Sequence, residues 1–313
     1  MKRLHALDTL RGVAALSIVF WHWQHFFAIS GDWQEGWSRT QEPFYPFLKP
    51  LYEEGWAAVD LFFVLSGFVF FWLYGARIRE ARIGAARFAL LRFSRLYPLH
   101  FVLLIAVAAM QFAFFRANDG FFVYDVNDVP HFIAQLFLVQ NWYPWAPQSF
   151  NGPAWSVSLE CLLYAVFFIA CRFGLRAGWR SVLLALCGVP LLWIDEHIAR
   201  GVIGFFMGGA MVACWRSLRA HANAAAITRV LGWGAIAGWA VLAGIAPDLD
   251  KAGRDVALKY TFGDGNTGMH REAYCAGWIV MGKLLRSGWT PAGLARIPES
   301  SMVAAVRAAL AAK

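Results

Sequence analysis

The chain has 313 residues, of which 59% are hydrophobic and 15% charged, with sixteen Trp and a mean hydropathy of +0.48. So few charges exclude an ordinary soluble domain and predict an all-α, polytopic membrane helix bundle of about seven or eight spans. The net charge of +8 lies mostly as Arg in short connections between apolar runs, which signals topology and not a nucleic-acid surface.

At the N-terminus, Lys2 and Arg3 precede an apolar run that reaches Ala28-Ile29-Ser30, the outline of a cleavable signal. Trp21, His22, Trp23 and Gln24 inside that run, and the spans after it, predict instead a retained first span, 12–29. Arg11 and His22 stand eleven residues apart. At ~100° per residue they return to within about 20° of one face, separated by a rise of roughly 16 Å. Asp8, three residues before Arg11, is placed to pair with it. A histidine within a span reads as functional. The plainer alternative is a flanking Arg and a neutral histidine bonded to a neighbouring helix.

Further spans are predicted at 57–75, 96–115, 154–171, 181–194, 198–215 and 230–246, with a weaker apolar segment at 131–143. Loop 30–55 carries five carboxylates against Arg39 and Lys49, whereas loop 76–95 carries six Arg against Glu80. The positive-inside rule therefore puts 76–95 and the N-terminus in the cytoplasm. If 131–143 crosses, Arg172, Arg176 and Arg180 land outside. If it is re-entrant or interfacial they land inside, and its short length and its ending at Asn141-Trp-Tyr-Pro favour that arrangement. Trp33, Trp37, Trp56, Trp142, Trp145 and Trp155 would then form an outer aromatic belt.

From about residue 248 the chain turns polar, and it ends in an Ala-rich stretch, 301–312. The predicted organisation is a membrane-embedded domain, 1–247, followed by an atypical tail, 248–313. Of five Cys, four (Cys161, Cys171, Cys187, Cys214) lie in or beside apolar runs, and no spacing suggests a zinc site or a disulfide framework. His270, Glu272 and Cys275 in the tail match no metal pattern.

Three further stretches place polar groups in apolar surroundings. Asp60, Ser66 and Gly67 lie in one span; Ser and Gly there allow close helix packing, but a carboxylate wants a partner or a wet cavity. Arg92 and Arg95, three apart, share a helix face suited to bidentate phosphate contacts, or they serve only as cytoplasmic anchors. Ser156, Ser158 and Glu160 step into an apolar run after Trp155, with Ser156 and Glu160 on one face. A His and a carboxylate sharing a cavity could supply a general base and its orienting group, or only a structural network.

Together these motifs resemble the membrane-bound acyltransferase type 3 family, which includes bacterial O-antigen O-acetylases and Nod-factor acetyltransferases. The matching residues are Leu7-Asp8-x-Leu-Arg11-Gly with His22, Val59-Asp60-Leu-Phe-Phe-Val-Leu-Ser-Gly67-Phe, Arg92-x-x-Arg95-Leu-Tyr-Pro98 and Pro153-Ala-Trp155-Ser-x-Ser-x-Glu160. A weaker match is Arg200-Gly-x-x-Gly-Phe-Phe-Met-Gly208. The resemblance covers residues 7 to about 215. It implies transfer of an acyl group, commonly acetyl from acetyl-CoA, to a hydroxyl of a carbohydrate or lipid-linked glycan among membrane lipids. The resemblance also implies that no cofactor is bound and that acyl-CoA serves as a co-substrate. Arg11 and His22 would be the essential pair, Arg92 and Arg95 would hold the donor, and Glu160 and Asp60 would belong to the core of the site. The tail departs from the family pattern, which usually has about ten spans.

On this reading His22 acts as a general base on the acceptor hydroxyl, or briefly carries the acyl group, with His25 in reserve. Both roles need a neutral imidazole. The rivals are a transporter or flippase lined by the same charges, or an inactive truncated relative. The absence of an evident internal repeat weighs against a repeat-built transporter.

Overall fold

The first helix, α1 (His5–His22), does not run the length expected of it. At His22 the α-helix tightens into a 3-10 turn, Trp23–Phe27, followed by a short strand, β1 (Ala28–Ile29), paired antiparallel with β2 (Asp32–Trp33). Only the first part of the predicted span 12–29 is therefore α-helical. The buried Gln24 side chain helps to end it: its Nε2 donates to the Trp21 carbonyl at 3.1 Å, satisfying one of the acceptors that a terminating helix leaves open.

This computed structural model describes residues 5–29, 32–34, 36–144, 146–227 and 229–230, all within one unit, Met1–Ala243. The span predicted at 230–246, beyond its first residue, lies outside the described residues. So do the 248–313 segment with His270, Glu272 and Cys275, and Trp145.

Among the described residues, the remaining α-helices are α2 (Tyr45–Glu54), α3 (Ala58–Leu73), α4 (Gly75–Arg79), α5 (Ala85–Asn118), α6 (Val129–Leu136), α7 (Trp155–Arg172), α8 (Trp179–Leu186) and α9 (Glu196–Ala220). Among the described residues, four helices are long and apolar enough to cross a membrane: Tyr45–Leu73, Ala85–Asn118, Gly152–Arg172 and Glu196–Ala220. The chain is thus a helical membrane protein. The predicted 181–194 run is a shorter apolar helix, Trp179–Trp193. α6 has 8 residues, a rise of about 12 Å against a hydrocarbon core of about 30 Å. It cannot cross alone, which fits the re-entrant or interfacial arrangement.

α3 and α9 make the closest crossing. A Cβ built on Gly67 would lie 1.8 Å from the Phe205 carbonyl oxygen, and one on Gly208 2.4 Å from the Phe68 nitrogen. Small residues let the two backbones touch where no hydrophobic drive separates helix from lipid. An aromatic core flanks this contact: Phe70 stacks on Tyr164 at 4.3 Å between centroids, and Phe71 meets Phe167 edge-on at 5.0 Å. α1 joins through Gly55, where a Cβ would lie 2.2 Å from the Ser17 carbonyl oxygen.

Two backbone contacts fix the ends of the bundle. Arg172 Nη1 donates to the Ile78 carbonyl at 3.3 Å, and Arg79 Nη1 to the Leu175 carbonyl at 3.4 Å. The arginine-rich connections before α5 and before α8 therefore lie at the same end. At the other end Val123, beyond the C-terminus of α5, donates its N–H to the Ala28 carbonyl at 3.0 Å.

Candidate active site

Gly67 faces α9, so Ser66, one residue earlier and about 100° around the helix, is turned away from that contact. It donates a hydrogen bond to Glu160 Oε1 of α7. Around this pair lies a cleft with about 60 Å³ of free space, lined by Arg11 of α1, Ser66 and Phe70 of α3, Arg92 and Arg95 of α5, and Glu160 and Tyr164 of α7. Four predicted motifs, spread over 150 residues of sequence, thus meet in one place. Ser66 sits midway along α3, and Arg92 near the start of α5, at the arginine end.

Arg92 is held from below. Its Nη2 donates to Tyr74 Oη at 2.7 Å, and its guanidinium stands 5.2 Å from the Phe70 ring centroid and 4.9 Å from that of Tyr74. Such stacking keeps a guanidinium planar and oriented. Arg92 Nε is buried with no hydrogen-bond partner among the described residues. Three guanidinium groups face one carboxylate across the cleft. The surplus positive charge and the open donor suit an anionic ligand such as phosphate.

His22 is not in this cleft. It ends α1, eleven residues and a rise of roughly 16 Å beyond Arg11. Its Nδ1 lies 3.0 Å from His25 Nδ1, and both rings are half-buried against Trp21. The structure therefore separates the predicted pair into two places on one helix, an anion-suited cleft and a histidine pair.

The expected Asp8–Arg11 ion pair does not form: Asp8 is exposed, while Arg11 lines the cleft, and no ion pair joins them among the described residues. Asp60 lies in the first turn of α3, away from the cleft, where Arg200 of α9 takes it with Nε–Oδ1 2.8 Å and Nη2–Oδ2 3.3 Å. Trp56 and Trp155 flank that guanidinium at 4.7 and 5.8 Å. Trp155 thus braces an ion pair, and it also meets His197 at 4.4 Å. Ser158 is fully buried, donates to the Leu138 carbonyl at 2.9 Å and accepts from the Asn141 N–H at 3.2 Å, so it pins the segment after α6 to α7. Ser156 bonds back to the Pro153 carbonyl at 3.3 Å. Neither serine reaches the cleft lining.

Tyr74 and Tyr164 were not singled out from the sequence, since a tyrosine at a span end or inside an apolar run looks like ordinary packing. Arg200 carried a usable signal: an arginine in a span needs a counter-charge, and Asp60 and Glu160 were the two carboxylates singled out in spans. Gln24 and Arg39, which bond at 2.5 Å beside the histidine pair, gave none.

A family model described as "Acyltransferase domain" matches residues 4–293, most of the segment from 248 onward included. Two curated relatives align over part of the chain. "Protein 2 in picA locus" of Rhizobium radiobacter is 31% identical over 195 residues, 59% of this chain and 90% of its own length. "Acyltransferase MdmB" of Streptomyces mycarofaciens is 34% identical over 206 residues, 64% of this chain and 45% of its own length. No solved structure matches.

Proposed function

The chain belongs to the acyltransferase family whose domain covers residues 4–293, and on that premise we propose that it moves an acyl group, acetyl first among candidates, from acyl-CoA to a hydroxyl of a cell-envelope carbohydrate or glycolipid. The observation that carries this reading is the convergence of Arg11, Arg92, Arg95 and Glu160 from three helices on one cleft. An excess of guanidinium over carboxylate supports a phosphate-bearing donor. In a bacterial inner membrane with the arginine end cytoplasmic, the cleft would receive the donor from the side where CoA is made.

On this reading Arg92, with Tyr74 and Phe70 fixing its plane, binds donor phosphate, and Arg11 and Arg95 add charge. Glu160, bonded by Ser66, limits the surplus and holds the arginines apart. A thin pantetheine arm would run along α1, whose rise of roughly 16 Å between Arg11 and His22 matches an elongated group entering from one end. His22 takes the proton from an acceptor hydroxyl arriving from the other end. The oxygen attacks the thioester carbonyl, the C–S bond breaks, and the thiolate leaves and recovers that proton.

The test feeds acetyl-CoA labelled in the acetyl group to membranes containing the full chain and asks whether label reaches glycans or glycolipids. Label that disappears with His22→Ala, with insertion unchanged, is the expected result. Substrate movement without a new covalent bond would overturn it in favour of transport.

A further inference from the structure

Why the first helix changes its winding at His22 is not explained by the need to cross a membrane. In an α-helix, residues three apart are offset by about 60°, whereas in a 3-10 helix they eclipse. The 3-10 turn begins at Trp23 with His22 as its N-cap. The tighter winding brings His22 and His25 onto one face, with Nδ1 atoms 3.0 Å apart and ring centroids 4.8 Å apart.

The turn is clamped from outside. Arg39 Nη2 bonds Gln24 Oε1 at 2.5 Å, and its Nη1 donates to the Tyr52 carbonyl, so one side chain ties the turn to α2. Gln24 is 4% exposed. His25 is flanked by Trp21 at 5.9 Å and Tyr124 at 6.0 Å. A turn bonded in this way holds the imidazole of residue 25 in place.

Two Nδ1 atoms in hydrogen-bond contact share one proton: one donates and the other accepts. If His22 Nδ1–H donates to His25 Nδ1, His22 keeps Nε2 unprotonated and basic. We infer that His25 is a positioning residue that holds His22 in the Nδ1–H tautomer, so that Nε2 faces the acceptor hydroxyl as the base. The inference rests on the acyl-transfer reading. In the reaction the hydroxyl proton goes to His22 Nε2 and the oxygen bonds the thioester carbonyl carbon. The C–S bond breaks, and the resulting imidazolium returns the proton to the departing thiolate. The Nδ1 proton stays between the rings throughout, and no oxidant or further reactant is needed. A partner that fixes the tautomer of a base leaves geometry intact when lost but removes the competent form.

The experiment uses the full chain in lipid nanodiscs, labelled with 15N-histidine, with the His22 signals assigned by their loss in His22→Ala. In the unsubstituted protein His22 shows protonated Nδ1 and bare Nε2. In His25→Phe, which keeps an aromatic ring, His22 moves to the Nε2–H form and kcat falls at least about tenfold at unchanged KM for the donor. His25→Gln, whose amide oxygen can accept from His22, restores part of kcat and the Nδ1–H signal. The same His22 tautomer in His25→Phe and the unsubstituted protein would overturn the proposal, as would a full kcat in His25→Phe. Transfer that survives His22→Ala overturns the reading beneath it, and it is seen independently of the tautomer.

Discussion

At the scale of single residues, the cleft separates charge from shape. Arg92 is positioned by one hydrogen bond to Tyr74 and by two ring faces. Lysine keeps the charge but has neither the planar fork nor the stacking. Arg92→Lys is expected to raise the donor KM by about tenfold, equal to roughly 1.4 kcal/mol, with stability little changed. Steady-state kinetics over a range of donor concentration would check this, and an unchanged KM would remove Arg92 from donor binding. Asp60 gives the contrasting case. It holds Arg200, and neither side chain lines the cleft, so its loss should weaken the α3–α9 contact without touching chemistry. Asp60→Asn is expected to cost about 2 kcal/mol of stability while the folded fraction keeps its turnover, as measured by thermal unfolding alongside activity per folded molecule.

At the scale of elements, glycines that look alike in sequence have opposite duties. Gly67 lies where a Cβ would meet backbone at 1.8 Å, whereas Gly12 has nothing within 4 Å. Gly67→Ala must push α3 from α9, and overpacking of this kind costs about 1–3 kcal/mol. Gly12→Ala meets open space and gains helix propensity, up to about 1 kcal/mol. Thermal melting of the two variants should therefore move in opposite directions. α6 offers a pH-dependent case. Asp128 caps it by accepting the His131 N–H at 3.0 Å, and this bond, with that to the His131 side chain, holds the Asp128 carboxyl below its ordinary value. A lowered folded-state value contributes stability above the ordinary carboxylate range and loses it as pH falls through the lowered value. Protection of the amides at the start of α6, taken relative to their intrinsic exchange rate at each pH, should therefore fall in acid. Asp128→Asn, which keeps a capping oxygen, should flatten that dependence.

At the scale of the whole molecule, the Arg79 and Arg172 contacts bring two arginine-rich connections to one end. Single cysteines replacing Arg82 and Arg176 should label from the same side of sealed vesicles, and one replacing Asp125 from the opposite side. Labelling of 82 and 176 from opposite sides would show that the 131–143 region crosses after all.

Membrane residence, helical class and family were legible in the chain alone, because few charges, long apolar runs and motif spacing are local properties. Convergence was legible only in part. Arg11, Arg92, Arg95 and Glu160 could be named from their cost in apolar surroundings, but nothing in their spacing says that they share a cleft while Asp60, Ser156 and Ser158 do not. That division depends on which face each helix turns to its neighbours, set by the Gly67–Phe205 contact and the aromatic core beside it. The departure of the first helix from α-winding at His22 was equally hidden. It rests on Arg39, distant in sequence, bridging Gln24 to the Tyr52 carbonyl of α2, and long-range bonds of that kind leave no periodic trace. The sequence therefore named the chemistry-bearing side chains. Packing determined which of them meet, and a turn tightened by contacts outside it determined that His22 and His25 meet at all.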